Sequence, residues 1–238
     1  MSKKKIYLSA STQENNKGVA GYGTEEDNMF ILRDRAEYFI KNGGHGSDFD
    51  IFKNINKTWT ISKIITDSNT HKVDLHAAFH SNAGSLKARG CEVYHYYKNT
   101  TTGKKFAELW YKEISKVTPT NDRGCMKDNV LYSNGLYELR ETIAPAALCE
   151  HFFHSNSADV NFYKANVDLF AIGTAKAIYT LYGYKFITPE ESESLENWEQ
   201  TIKKVSKWSD LWIVEIKKNI KETGYNWPGL IQKIRNLD

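Results

Sequence analysis

The sequence predicts an α/β fold: a twisted, mostly parallel sheet flanked by helices, followed by a small C-terminal helical segment. Three observations predict it. Short apolar runs suited to strands alternate with stretches of helical spacing through residues 1–187. The length of 238 residues suits one such domain with an appendage. At Thr188-Pro189-Glu190-Glu191-Ser192-Glu193 the composition turns polar and acidic, which sets the boundary between residues 1–187 and 188–238.

Residues 6–8 are a short apolar run and read as the first strand. The polar, glycine-containing stretch at 11–24 is a loop. A helix starts near Glu25, with Met29, Leu32, Ala36, Phe39 and Ile40 at helical spacing, Thr24 as its N-cap and Asp27 in its first turn. Residues 41–60 carry Gly43, Gly44, Gly46 and several Asp and Asn residues, and read as a long loop or insertion. Residues 75–79 are an apolar strand interrupted by His76, and 91–97 alternate as another strand. An amphipathic helix is expected over 107–117, then a turn and two strands over 135–140 and 146–153. Residues 160–182 read as one helix with Val167, Phe170, Ala171, Ala175 and Ile178 on one face. In the tail, Ile202, Val205, Trp208, Trp212, Ile216 and Ile220 fall on one helix face, Trp227-Pro228-Gly229 punctuates, and a last short helix runs through Leu230, Ile231 and Ile234.

Composition excludes several classes. With 40% hydrophobic and 26% charged residues the chain reads as an ordinary globular protein. A net charge of +3 is mildly basic and leaves no nucleic-acid footprint. Cys91, Cys125 and Cys149 are odd in number and widely spaced, so they read as buried free thiols rather than a disulfide framework or a zinc cluster. The run after Lys3-Lys4-Lys5 is too short for a signal peptide, and no long apolar stretch follows. The expectation is a protein synthesised in the cytoplasm, without stable membrane insertion.

Three segments carry chemistry together. They are G-Y-G-T-E-E at 21–26, D-L-H-A-A-F-H-S-N-A at 74–83 and L-R-E-T-I-A-P-A-A-L-C-E-H-F-F-H-S-N at 139–156. Each falls at the carboxyl end of an expected strand, where α/β sheets bind ligands. A His and a carboxylate converging there could hold zinc, and a second carboxylate could serve as base for an attacking water. Glu150 follows the apolar run A-A-L-C, where a carboxylate is costly to bury without a task or a partner such as Arg140.

These segments resemble the zinc amidases of the Amidase_3 family, which cleave the N-acetylmuramoyl-L-alanine bond. That family carries a His after the first strand, a Glu at the start of the first helix, a second His in H-x-N-A, and a catalytic Glu closing a run like L-R-x-T-x-x-P-A-x-L-x-E. H-S-N-A at 80–83 puts His80 in the second His position, and L-R-E-T-I-A-P-A-A-L-C-E ends on the catalytic position, Glu150. The stretch F-H-S-N-S-A-D resembles the family's G-F-x-S-N-x-x-D. The helix-start Glu is Glu25, with Glu26 the alternative. The family's D-P-G-H-G-G turn is absent; where phage members read S-P-S-T-Q-E-H-N, this chain reads S-A-S-T-Q-E-N-N, with Asn15 at the His position. An amide oxygen is a poor zinc ligand beside imidazole. The position is therefore a lost ligand, a tolerated variant, or one whose role another His takes.

Three other histidines are alternatives for that role. His45, in G-H-G, has no strand before it. His76 shares a strand face with His80 but sits roughly 13 Å away along the strand. His154 lies beyond Glu150 on the same rim. The resemblance implies Zn2+ as cofactor, peptidoglycan as substrate and Glu150 shuttling a proton from water to the leaving L-alanine nitrogen; Asn82 either orients His80 or contacts substrate, and His154, if not a ligand, is a substrate-facing or surface imidazole. The missing signal peptide favours a phage endolysin that meets the wall after release, and the helically spaced tryptophans of the 188–238 appendage either pack or stack on wall sugars. The alternative is a non-catalytic wall-binding protein that has lost its metal.

Overall fold

The computed structural model describes residues 2–98, 101–118 and 123–189. The chain divides into two compact units, Met1–Phe186 and Ile187–Asp238. From residue 190 onward the helical appendage expected over 188–238 lies outside the described residues.

The first unit is built on a six-stranded sheet of order β2-β1-β3-β6-β4-β5. The strands are β1 Lys4–Ala10, β2 Phe49–Lys53, β3 Leu75–Asn82, β4 Glu92–His95, β5 Cys125–Lys127 and β6 Ala146–Phe153. Strands β2, β1, β3 and β6 run parallel; β4 is antiparallel to β6, and β5 follows β4. The carboxyl ends of β1, β3 and β6 therefore meet side by side.

The helices are α1 Glu25–Asn42, α2 Ile61–His71, α3 Thr102–Val117, α4 Tyr137–Glu141, α5 Ser157–Ala165 and α6 Val167–Leu181. The chain steps one place outward from β1 to β2 and two places back to β3. Right-handed crossovers then put α1 and α2 on opposite faces. Alternation sorts the strand residues accordingly. Leu8, Ala10, Ala77, Phe79, Ala147 and Cys149 face the large core shared with α1, α3 and α6. Tyr7 faces Ile64 of α2, and Ala78 and Leu148 face Leu139 of α4. Trp110 anchors the large core; its indole N–H donates to Thr174 at 2.9 Å and its ring meets Phe79 edge-on at 5.3 Å.

The structure corrects four expectations. Residues 41–60 hold β2, parallel to β1 from Lys4↔Phe49 to Leu8↔Lys53. It is an edge strand with mostly half-buried residues, so Asp50 and Lys53 are tolerated and its apolar signal is faint. Residues 61–71, given no element by the sequence pattern, form α2, capped by Thr60. Residues 137–141 are helical rather than a strand. Here Asp128 takes the backbone N–H of Leu136 at 2.8 Å, and Gly135 adopts a left-handed φ of 73° within contact of that carboxylate. The helix expected over 160–182 is two helices, separated at Asn166, whose amide turns back to the carbonyl of Phe162 at 2.9 Å.

The S-N-x-x-D motif is structural. Asn156 caps α5 through the N–H groups of Ala158 and Asp159. Asp159, with its side chain fully buried, accepts from the N–H of Gly90 at 3.0 Å, the N–H of Phe153 at 3.2 Å and Arg89 Nε at 2.8 Å. Replacing it strands all three donors. We expect Asp159→Ala to lose about 3–5 kcal/mol in urea unfolding; a loss under ~1 kcal/mol would contradict this role. Among the described residues no helix is long and apolar enough to cross a membrane.

Candidate active site

The loop after β1 is tied down before it reaches the site. Asn54, fully buried, pairs with Ala10 as another strand would, accepting its N–H at 2.8 Å and donating to its carbonyl at 2.9 Å. Ser11 N–H then reaches the Phe79 carbonyl of β3 at 3.0 Å. Gly21 and Gly23 take positive φ of 82° and 85°, which lets the loop turn sharply into α1. Thr24 caps that helix, its hydroxyl accepting from Asp27 N–H at 3.2 Å. The first helical residue, Glu25, is thereby delivered to the carboxyl end of β3.

There Glu25 Oε1 lies 2.9 Å from His80 Nδ1 and 3.3 Å from the N–H of Ser81. Its other oxygen accepts from the side-chain amide of Asn16 at 2.8 Å. Glu25 is 1% exposed; burial opposes its charge, but the bonds from His80 and Asn16 outweigh burial and lower its pKa. Glu26, the alternative, is turned away into a polar cleft of about 630 Å³ lined also by Lys57 and Trp59.

Strand register sets the rest. His80 of β3 lies beside Glu150 of β6, and Glu150 lies beside Glu92 of β4, so all three point to one face. Glu92 is satisfied by Tyr94 and Arg123. Glu150 is different: its Oε2 is buried without a hydrogen-bond partner among the described residues. Burial, reinforced by the charges of Glu25 and Glu92 against the opposing effect of His80, pushes its pKa up to about 8. Arg140, the suspected structural partner, pairs with Glu141 at 2.8 Å instead.

One functional candidate escaped the sequence. Glu138 of α4 is 4% exposed and lies between two histidines, with Oε1 2.9 Å from His76 Nε2 and Oε2 3.4 Å from His80 Nε2. Burial opposes its ionisation, yet the bonds from His76 and His80 prevail and hold its pKa well below the usual carboxylate range. His80, which burial alone would drive neutral, is raised well above an ordinary histidine by Glu138 and Glu25. The only sequence signal was a lone Glu inside L-Y-E-L-R, and nothing local links it to residues some sixty positions earlier.

Three further candidates take the following places. Asn15 is exposed in the Glu26 cleft, and the neighbouring Asn16 is the residue that reaches Glu25. His154 is 3% exposed, stacked on Tyr22 at 5.4 Å and bonded to Ser81 at 2.9 Å, and burial lowers its pKa. It is a packing residue, because the Tyr22 loop covers it. Asn82 is half-buried at the end of β3, its carbonyl accepting from His154 N–H at 2.8 Å. His45 lies apart, paired with Asp48 and stacked on Tyr184.

Residues 6–180 match the family profile described as Amidase_3, N-acetylmuramoyl-L-alanine amidase. The chain belongs to the N-acetylmuramoyl-L-alanine amidase family. Its reaction is the family's: hydrolysis of the amide between N-acetylmuramic acid and L-alanine in peptidoglycan. The amidase fold is shared with solved structures at low sequence identity. The catalytic domain of CwlV, the amidase of Bacillus (Paenibacillus) polymyxa var. colistinus, aligns with TM-score 0.66 and 20% identity over 76% of this chain and 99% of that one. An N-acetylmuramoyl-L-alanine amidase of Clostridium difficile 630 aligns with TM-score 0.68 and 17% identity over 78% and 100%. The catalytic domain of the CD27L endolysin, which targets C. difficile, gives TM-score 0.59 and 20% identity over 74% and 97%. No curated protein matches in sequence.

Whether these residues suit zinc is a question of donors. His80 has one ring nitrogen on a carboxylate behind it and the other aimed at Glu25, the arrangement in which a second carboxylate orients a metal-binding imidazole. Glu150, with its unpartnered oxygen, lies on the adjoining strand. Two ligand positions and a neighbouring base therefore fit. Among the described residues no third His, Cys, Asp or Glu joins them in a metal-holding group.

Proposed function

We propose that this amidase acts as an endolysin that meets the wall after release, holds zinc through His80 and Glu25, and uses Glu150 as its proton shuttle. One observation carries the reading: a buried, unpartnered carboxylate with its pKa raised to about 8 sits in register beside a histidine locked between two carboxylates. When bound, zinc supplies Lewis acidity toward the lactyl carbonyl and the attacking water. Glu150 takes the proton from that water and passes it to the departing L-alanine nitrogen; its raised proton affinity suits both transfers. Glu25 fixes the imidazole from the front, and the Asn16 amide fixes Glu25. The likeness to the CD27L endolysin domain supports the lytic role.

A second reading also has an observation behind it. The exposure of Asn15, with no third His, Cys, Asp or Glu in a metal-holding group among the described residues, favours a wall-binding protein that has lost its metal. Purified peptidoglycan incubated with zinc-supplemented and with chelator-treated protein separates the two. Release of new amino groups in the first alone supports the zinc amidase. Binding to the wall without release in either supports the second reading and overturns the first.

A further inference from the structure

We infer that Glu138 is a positioning residue that fixes the ring orientation of His80 by holding its Nε2; its consequence for metal affinity rests on the zinc reading above. The sheet face beneath α4 carries a continuous line of side chains. Ser68 bonds His76 Nδ1 at 2.9 Å, His76 Nε2 meets Glu138 Oε1 at 2.9 Å, Glu138 Oε2 faces His80 Nε2 at 3.4 Å, and His80 Nδ1 meets Glu25 at 2.9 Å. Ser9 adds its hydroxyl to Glu138 Oε1 at 2.5 Å. Each member is buried, and His76 is held flat against Tyr7 with ring centroids 5.2 Å apart and planes 4° apart.

An ionised carboxylate only accepts hydrogen bonds. Glu138 therefore calls for a proton on Nε2 of both histidines. In His80 the other nitrogen, Nδ1, faces Glu25, so the ring is held by a carboxylate at each nitrogen, and Nδ1 is the one a cation shared with Glu25 would take. A flipped ring would set carbon atoms against both carboxylates and lose both bonds. His76 and Ser9 hold Glu138 from the other side, so the carboxylate cannot follow His80 if that ring turns. An apolar residue at position 138 would pack beside Leu139 and avoid burying a charge. The carboxylate is thus explained by what it does to the two rings, and α4 is the element that carries it there.

The test uses the full chain and the variants Glu138→Ala, Glu138→Asp and Glu138→Gln. Long-range 1H–15N spectra of histidine-labelled, metal-free protein should show a slowly exchanging Nε2–H on His80, missing from a His80→Ala control. Glu138→Ala should lose its slow exchange. Glu138→Asp, one methylene shorter, should lose it at His80, whose contact is the longer one, and keep it at His76. Glu138→Gln should retain it through the amide oxygen. Zinc affinity by chelator competition should fall about 10–100-fold in Glu138→Ala and recover most of that in Glu138→Gln. An unchanged His80 signal in folded Glu138→Ala, or in Glu138→Asp if the first does not fold, overturns the assignment. If the wild-type chain takes up no zinc, the zinc reading fails while the imidazole signal still decides the role of Glu138.

Discussion

Glu150→Gln is expected to lower amide hydrolysis by about 10³-fold or more, and at the same time to make the metal-free protein more stable near pH 8. The first effect follows from removing the group that moves the proton. The second follows from its surroundings. Glu150 Oε2 has no partner among the described residues, and burial lifts its pKa from 4.5 to about 8. Between these two values the folded chain holds a proton that the unfolded chain has released. Stability therefore falls as pH rises through that window. Glutamine cannot ionise, so the fall disappears. A full conversion of the shift would exceed what a relaxing site retains, and we expect a gain of about 2 kcal/mol at pH 8 and little difference below pH 4.5. Thermal melts across pH check it. A site residue whose removal stabilises the fold is the signature of strain kept for function; equal or lower stability at pH 8 would show that Glu150 is satisfied in a way not seen here.

His80→Ala should abolish zinc uptake and hydrolysis and move stability the opposite way. The imidazole is the shared cation of Glu25 and Glu138, both buried. Without it Glu25 is left with the amide of Asn16 and the N–H of Ser81, and Glu138 with His76 and Ser9, a loss of about 3–5 kcal/mol in denaturant titration. The sign follows from each group. His80 is raised above its ordinary 6.5, so its contribution is complete below that value and fades as pH rises through the folded pKa. Glu25 is lowered below 4.5, so its contribution is present above that value and fades as pH falls. The difference between wild type and variant should be widest between about pH 5 and 6.5, where both conditions hold. A variant as stable as wild type there would mean the carboxylates find other partners.

What could be read from the sequence was what local pattern controls. Thr24, the apolar spacing of α1 and the long run ending at Glu150 fix a helix start and two strand ends. Register then brings Glu25, His80 and Glu150 together. The sequence favours Glu25 but leaves Glu26 as an alternative, because both lie in the first turn. The helix phase decides it, turning one toward β3 and the other to the Lys57 cleft. Strand β2 was hidden because an edge strand needs little apolar surface. Helix α4 was hidden because five residues cannot show a helical period. Glu138 was missed with it, since its meaning comes from His76 and His80, far away in sequence. His154 looked available on the rim because no pattern announces that the G-Y-G-T loop folds Tyr22 over it.

The central claim is that the cluster of His80, Glu25 and Glu150 hydrolyses the muramoyl–alanine amide. End-group analysis of purified peptidoglycan, digested with the zinc-supplemented wild-type chain and with Glu150→Gln, tests it most directly. The account predicts new amino-terminal L-alanine without new reducing sugar ends for the wild type, and neither for the variant. Reducing ends in place of L-alanine termini, or L-alanine termini released equally by Glu150→Gln, would contradict it.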